Sequence, residues 1–555
     1  LSGGVNEIVA GGSFINEDSA AAAHPSFRVE NAKLTLTAEN DVRISHLYAA
    51  NAAAALTANT GVYRGKTVEV KRSAVKISGY DGVKIFSDEN DRISADEEFS
   101  PVITVEDSFF KDTITDPSGV QTNLGLTIVS ENGGMDSTDS RFDIYRSEAG
   151  EIRYRKDGVW YQFKDGVFAP VETDETRFTL LHSGYSLFVT EDKTQLYLES
   201  GNKFYAFGAD GTLGAAQGID GNDWIYTLRN VGAGNYYDGW LIDRSTITVT
   251  VKGDVVVRDT LRMLESTGKV TSTAGSLTVA DYFIDEDGDG VGDVLEASEW
   301  DLRGSVMEID VAGSIRIDHF SLQISVMDME VQQDSITGKT WYIFGSRLRA
   351  AARSGVEIVN MDDKYATPAV LVYWSNDDLS IRRRDTGEME KLGVYVAVKE
   401  GGLVFRTGSR GGGIDNTTDL YATASTIDLD VYGTVDIAEM KVNTENSKNT
   451  DQTFSNPRGE ELYGNDPDTV THKDIFKDGK SMTDANFAQS GRAYGTEINI
   501  ESVCGGVPAG NWTIAGARLK DGSLNAGVGQ SSVNVTTLGD IAGLAALKSA
   551  MEAAA

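Results

Sequence analysis

The chain has little of what usually cross-links or interrupts a fold. Its 555 residues include one cysteine, eight prolines and five histidines. A lone Cys504 excludes an internal disulfide and a cysteine zinc cluster, and is expected to be a small buried residue. His24, His46, His182, His319 and His472 are scattered, and no His-Glu-x-x-His occurs, which excludes the common zinc-hydrolase arrangement. No apolar run approaches the roughly 18 residues of a membrane-spanning helix. No G-x-S-x-G elbow is present, and none of the Gly-Lys-Thr/Ser triplets at 65, 338 and 479 has the glycine five positions upstream that a phosphate loop needs. Basic charge is short as well. With 50 Lys and Arg against 84 Asp and Glu, the net charge is −34, spread along the chain. Nucleic acid and anionic membrane surfaces are therefore not expected partners.

The scarcity of proline has a positive side, because stacked strands need every backbone N–H. Glycine is abundant at 59 residues, which suits many tight turns. The chain also repeats itself. Residues 247–257 read ITVTVKGDVVV, and the pattern returns at 34–44 (LTLTAENDVRI), 75–85 (VKISGYDGVKI), 307–317 (MEIDVAGSIRI), 395–405 (YVAVKEGGLVF) and 427–437 (IDLDVYGTVDI). Positions 1, 3, 9 and 11 are apolar or aromatic, and position 7 is Gly, Asn or Asp, residues that tolerate positive φ. Alternation at both ends indicates strand and the centre indicates turn. Copies begin 41, 60 and 120 residues apart, near multiples of twenty, although 395 to 427 is 32. A period near twenty predicts an all-β parallel β-solenoid with one strand stacked on its equivalent per coil. Unrelated hairpins in a β-sandwich are the alternative. Leu34, Leu36, Val42 and Ile44 are expected to be buried.

The pattern divides the chain into a Gly- and Ala-rich segment at 1–32, a first solenoid part at 33–140, and a second at 246–445. The second part has a hairpin-like interruption around 341–353. NAAAAL at 51–56 reads as a short helix or a small-residue strand inside a coil. Residues 446–485 are a polar linker or cap, and 486–555 a small C-terminal unit. Its end, 537–555, is an amphipathic helix that caps the last coil or packs against another subunit. Nineteen of the 48 aromatics fall between Phe142 and Trp240, so 141–245 is a different module. Asp-Gly pairs at 157, 165 and 210 between alternating aromatics predict antiparallel hairpins, either a module inserted into the solenoid or a sheet grown from one flank. Tyr154, Trp160, Tyr161 and Phe163 are cross-strand packing or, alternatively, a carbohydrate or partner surface.

One motif carries metal chemistry. Residues 285–296 read DEDGDGVGDVLE. Acids at positions 1, 3, 5, 9 and 12 with glycine at 6 match an EF-hand-type calcium loop. Asp285, Asp287, Asp289, Asp293 and Glu296 would supply carboxylates and Val291 its carbonyl, while Gly290 permits the turn. Oxygen-only ligands favour Ca²⁺ over zinc, and a bidentate glutamate disfavours magnesium. The flanking segments are short for EF-hand helices, so the loop looks more like single extracellular calcium loops. The ion is expected to pin the loop between neighbouring coils. No catalytic pair can be selected among so many acids; Arg316 and His319, beside a coil motif, are the nearest candidates for a polysaccharide-cleaving site.

At the coil motifs, AKLTLTAENDVRISHLYAANAAAALTANTG and STITVTVKGDVVV resemble the repeats of filamentous haemagglutinin-type exoproteins, which read approximately L-x-L-x-A-G-x-D-I-x-L. The resemblance covers about half the chain. It implies a right-handed parallel β-helix, bacterial export to the cell surface or exterior, and adhesion or surface structure, with a cell-surface glycan or protein, or further copies of the chain, as partner. The aromatic module, the calcium loop and the last 110 residues depart from it. SSVNVTTLGDIAGLAALKSAM also faintly resembles the start of the C-terminal helix of flagellins. A β-helix polysaccharide lyase or glycoside hydrolase and an extracellular filament subunit are the rival readings. The absence of an initiator methionine at Leu1 suggests a processed protein or a piece of a longer one.

Overall fold

The computed structural model describes residues 1–17, 27–88, 101–136, 141–156, 159–172, 177–200, 203–217, 228–231, 236–237, 239–285, 289–360, 368–408, 418–443, 445–446, 475–477, 480–481, 493–494, 496–508, 510–514 and 532–537. Among them every regular element is a β-strand. The protein is all-β with long parallel sheets, consistent with a β-solenoid. No described helix is long and apolar enough to cross a membrane, which does not bear on β-barrels. The helix expected over 537–555 lies outside the described residues, except Thr537, which ends the strand Ser532–Thr537. The chain divides into two compact units. One comprises residues 1–262, 270–300 and 311–318; the other comprises 263–269, 301–310 and 319–555.

In the first unit, Val5–Ala10, Lys33–Ala38, Ala53–Ala58, Ala74–Gly79, Gly125–Ser130 and Thr246–Val251 form one parallel ladder. Lys33 faces Ala53 and Ala53 faces Ala74, steps of 20 and 21 residues. The other arm of each motif belongs to a different ladder. Val42–Ala50 pairs with Val62–Lys71, and that strand with Ile103–Glu106. The eleven-residue pattern is therefore a corner between two parallel sheets, not a hairpin. Leu34, Leu36, Val42 and Ile44 are all buried, at most 1% exposed. NAAAAL contributes the strand Ala53–Ala58, with Ala54, Leu56 and Ala58 inward because a parallel ladder sets their parity. The weakly patterned N-terminal segment also joins the ladder through Val5–Ala10.

The second unit shows three ladders. Arg347–Ala352, Gly355–Asn360 and Val370–Tyr373 stack under Gly393–Val398, Gly402–Thr407 and Leu420–Thr423 respectively. Those stack under Thr426–Val431, Val435–Ile437 and Glu439–Asn443. Val394 faces Ile427, so the step that departs from twenty is one coil with extra loop residues. The copy written as 395–405 also begins one residue earlier. Val394, Val396 and Val398 point inward while Tyr395 points outward, because Gly401 and Gly402 lengthen the corner. Glu497–Ser502 and Ser532–Thr537 continue the first ladder, so these C-terminal strands belong to the same stack. Trp341 does not lie in a protruding hairpin: it is fully buried in Thr340–Phe344 and stacks on Phe320 at 5.0 Å. What lies over this unit's outer face is the hairpin Ser380–Arg382/Met389–Lys391, which pairs with Ile475–Lys477. Leu379, Ile381, Leu392 and Ile475 bury there against Phe344 and Trp374. Cys504 is exposed, contrary to expectation, because it follows the strand end at Ser502 in an open turn.

Two corners set the stacking. At motif position 7 the backbone does not take positive φ; glycine serves there for close approach between coils. A Cβ on Gly401 would lie 1.5 Å from the Ser354 carbonyl oxygen. Positive φ occurs instead at a different corner, at Glu265, Gly304, Ile324, Gly345, Trp374 and Ala424, each followed by a buried Ser. From Ser305 onward each serine accepts the backbone N–H of its equivalent one coil before: Ser266 N donates to Ser305 Oγ at 3.1 Å, Ser305 N to Ser325 Oγ at 3.1 Å, Ser325 N to Ser346 Oγ at 3.0 Å, Ser346 N to Ser375 Oγ at 3.1 Å, and Ser375 N to Ser425 Oγ at 3.3 Å. The hydroxyls donate in turn to the carbonyl two residues back, as Ser325 Oγ does to Gln323 O at 2.9 Å. The first unit repeats the device at Ser73, Ser108 and Ser245. A sharp turn would orphan these amides, and the serine column satisfies them.

The aromatic module is an antiparallel nine-stranded sheet within the first unit. Its strands run Val167–Pro170, Val159–Lys164, Ile152–Lys156, Arg141–Ser147, Phe178–Val189, Leu196–Ser200, Lys203–Phe207 and Leu213–Gln217, with Arg229–Val231 on Phe178–Val189. Asp165 and Gly166 both have positive φ, as the two-residue hairpin turn requires. Ile152–Lys156 and Lys203–Phe207 are four strands apart, roughly 19 Å in a flat sheet. Yet the Tyr154 and Phe207 rings lie 6.5 Å apart, so the sheet rolls onto itself. The register shifts around Ile144 supply the bend.

Candidate metal centre

Residues 285–296 form the tip and one arm of a hairpin. Tyr282, Phe283 and Ile284 pair with Glu296, Leu295 and Val294. Asp293 N donates to Ile284 O at 2.7 Å, so Asp285 and Asp293 close the neck of the loop. Glu296 lies further down the stem, its backbone opposite Tyr282. Asp287 and the side chain of Glu296 lie outside the described residues. Gly290 has φ of +81°, as a sharp turn at position 6 demands, and a Cβ there would meet the Phe168 carbonyl oxygen at 2.0 Å.

Two carboxylates fold the loop on itself. Asp285 Oδ2 accepts Gly290 N at 2.8 Å, and Asp289 Oδ1 accepts Val291 N at 2.9 Å. The other Asp289 oxygen pairs with Lys193. Asp293 Oδ2 is buried and has no hydrogen-bond partner. A buried carboxylate oxygen without a donor is costly. That atom fits a bound cation, while the Lys193 pairing shows that the protein neutralises part of the loop's charge itself. Among the described residues no three acidic, His or Cys groups converge tightly enough to hold a metal.

The loop does not lie between neighbouring coils. It clasps the rolled aromatic sheet. Phe168 N donates to Asp289 O at 2.9 Å, Gly292 N to Asn230 O at 3.0 Å, and Phe283 N to Asn230 Oδ1 at 2.7 Å. Arg229 Nη1 donates to Asp293 O at 3.0 Å while its guanidinium covers the Phe283 ring at 4.1 Å. Val291 bridges Val231 and is fully buried in the module's core. Compared with protein-family models, with curated proteins and with solved structures, the chain matches none. The haemagglutinin-type resemblance accordingly rests on the repeat pattern alone.

Lys193, Asn230 and Arg229 were invisible to a motif reading, because they come from hairpins far upstream. The Asp165-Gly166 turn is the one local signal: Gly166 leaves room for the Lys193 stem, whose Cβ lies 3.3 Å from a built Cβ. Arg316 is engaged by Asp318 through two bonds of 2.9 and 3.1 Å, and His319 begins the buried strand His319–Gln323. Of the four aromatics proposed as a surface, Tyr154, Tyr161 and Phe163 face the module's core, whereas Trp160 stacks on Phe178 at 4.2 Å on the other face.

Proposed function

We propose that this chain is an exported bacterial protein of the cell surface, a right-handed parallel β-solenoid that acts in adhesion or as a structural exoprotein. The observation that carries this reading is the stack of coils at a step near twenty residues with a rolled antiparallel sheet inserted into one of them. Such a stack extends a scaffold in one dimension and presents an insert away from it. The partner is a cell-surface glycan or protein, or further copies of the chain. The test is binding of the purified chain to cells, run beside a screen of acidic and neutral polysaccharides for turnover. Saturable adhesion without turnover supports the reading; reproducible cleavage would replace it with a polysaccharide lyase or glycoside hydrolase.

The loop at 285–296 is, in the same reading, a calcium site held by Asp285, Asp287, Asp289, Asp293, Glu296 and the Val291 carbonyl. The buried, unpartnered Asp293 Oδ2 supports it. The ion would neutralise carboxylates that repel one another and fasten the hairpin to the aromatic sheet. Extracellular loops of this kind bind at about 10⁻⁴ to 10⁻³ M. Millimolar calcium should raise the unfolding temperature over that in chelator, and Asp287→Ala should abolish the difference. Equal melting in both would remove calcium from the account.

A further inference from the structure

The acidic loop at 285–296 already holds a cation of the protein's own. Lys193 pairs with Asp289, and the two side chains are 29% and 20% exposed. The turn that carries Lys193 is built to present it. Lys193 has φ of +57°, a conformation that Gly or Asn adopts more readily. Its N–H donates to Thr190 O at 2.7 Å. Asp192 Oδ1 braces the same turn, accepting Thr190 Oγ1 at 2.6 Å, Thr194 Oγ1 at 2.7 Å and Thr194 N at 3.1 Å. The stem then runs over Gly166, where a built Cβ would lie 3.3 Å from Lys193 Cβ and 3.4 Å from its Cδ. A second bridge ties turn to loop: Arg229 Nη2 donates to Glu191 Oε1 at 3.2 Å while its Nη1 donates to Asp293 O at 3.0 Å. The ammonium is thus delivered to the loop by a braced turn of another hairpin.

One lysine does not neutralise the loop, since Asp293 Oδ2 stays buried with no hydrogen-bond partner. Resting on the calcium reading of 285–296, we propose that Lys193 is a tethered counter-ion that competes with the metal, so that calcium enters only as the ammonium leaves Asp289. Both cations use the same carboxylate, and a divalent ion beside an ammonium is repelled. Lysine suits such an exchange. Its ammonium is a strongly hydrated point charge on a flexible stem, and the exposure of the pair gives it water to withdraw into. Without calcium, Lys193 keeps the loop folded and the clasp on the aromatic sheet closed. With calcium, its displacement opposes binding and holds the site toward the weak end of the range for such loops, about 10⁻³ M.

The test is calorimetric titration of the full-length chain with calcium chloride. Wild type is compared with Lys193→Met, which keeps a stem over Gly166, and with Lys193→Arg, which keeps the charge. Lys193→Met should bind calcium about tenfold or more tightly than wild type, and Lys193→Arg no more tightly. In chelator Lys193→Met should melt below wild type, and millimolar calcium should close the gap. A second measurement uses the unaltered chain. Acylation of Lys193 by an amine-reactive ester, read by peptide mass spectrometry, should quicken when calcium is added, because the released ammonium has lost the carboxylate that favours its charged form. Calcium binding by Lys193→Met alone would support the proposal. Binding by wild type, with Lys193→Met no tighter or Lys193 acylation no faster, would overturn the competition and leave the calcium site standing. Binding by neither would overturn the two together.

Discussion

Replacing Ser325 by alanine tests the serine column at a single rung. Ser325 is fully buried, and its Oγ is the acceptor for Ser305 N at 3.1 Å. Alanine keeps the backbone and nearly the volume but leaves that amide without a partner in a dry corner. An orphaned buried donor costs about 1–3 kcal/mol. The lost donation to Gln323 O adds less, since a carbonyl tolerates under-satisfaction better than an amide. Local opening at this corner should become easier by the same amount. Exchange of the Ser305 amide with deuterium should then quicken by about tenfold to a hundredfold, read by mass spectrometry on a peptide spanning it. Ser325→Thr should retain most of the protection, because Thr496 fills the equivalent place and accepts Ser425 N at 3.4 Å. Unchanged exchange in the alanine variant would refute the claim that the column satisfies the turn.

Trp341→Ala should destabilise the second unit by about 3–5 kcal/mol, measured by denaturant unfolding, because the indole is fully buried against Phe320 and Phe405. Gly401→Ala should cost about 1–3 kcal/mol or more in the same assay, since the Ser354 carbonyl occupies the space a Cβ needs. The outer hairpin should detach at low pH. Burial works to raise Asp385's pKa, but the hydrogen bond and charge of Arg383 hold it below the ordinary carboxylate value. A depressed pKa gives stability that is present above the unfolded value, about 3.9, and lost as pH falls through the folded one. Protection of residues 380–391 should therefore persist to about pH 4 and fall below it, and Arg383→Ala should lessen it at neutral pH. Arg383 also holds Glu308 at 2.7 Å and Asp328 at 3.4 Å, but Glu308 keeps Lys269 and Asp328 keeps Arg347, so the variant removes the cation of Asp385 alone.

The parallel stack was legible because its signal is local. Alternation at Leu34, Leu36, Val42 and Ile44, together with a step near twenty, is enough to place side chains inside and coils one above another. The reason for the glycines was not legible. Position 7 looks like a positive-φ turn, yet its requirement is the approach of the next coil's backbone, a property of the stack rather than of the segment. Positive φ falls instead on residues such as Ile324 and Trp374, which propensity would never nominate. Serine does mark that corner, but it resembles any loop serine until its equivalent one coil away is known. The acidic motif at 285–296 showed the loop's own acids. It could not show Lys193 or Asn230, which arrive from a sheet inserted far earlier in the chain.

The account rests on strands distant in sequence lying side by side, and one pair exposes it most directly. Asp430 and Glu501 are both exposed and directly opposite each other in adjacent parallel strands, although 71 residues separate them. With the exposed Cys504 first replaced by serine, nitroxide labels at cysteines introduced at 430 and 501 should sit on backbones about 4.8 Å apart. Their electron paramagnetic resonance spectrum should show strong spin exchange, absent from either singly labelled protein. A doubly labelled spectrum equal to the sum of the two single ones would contradict the stack.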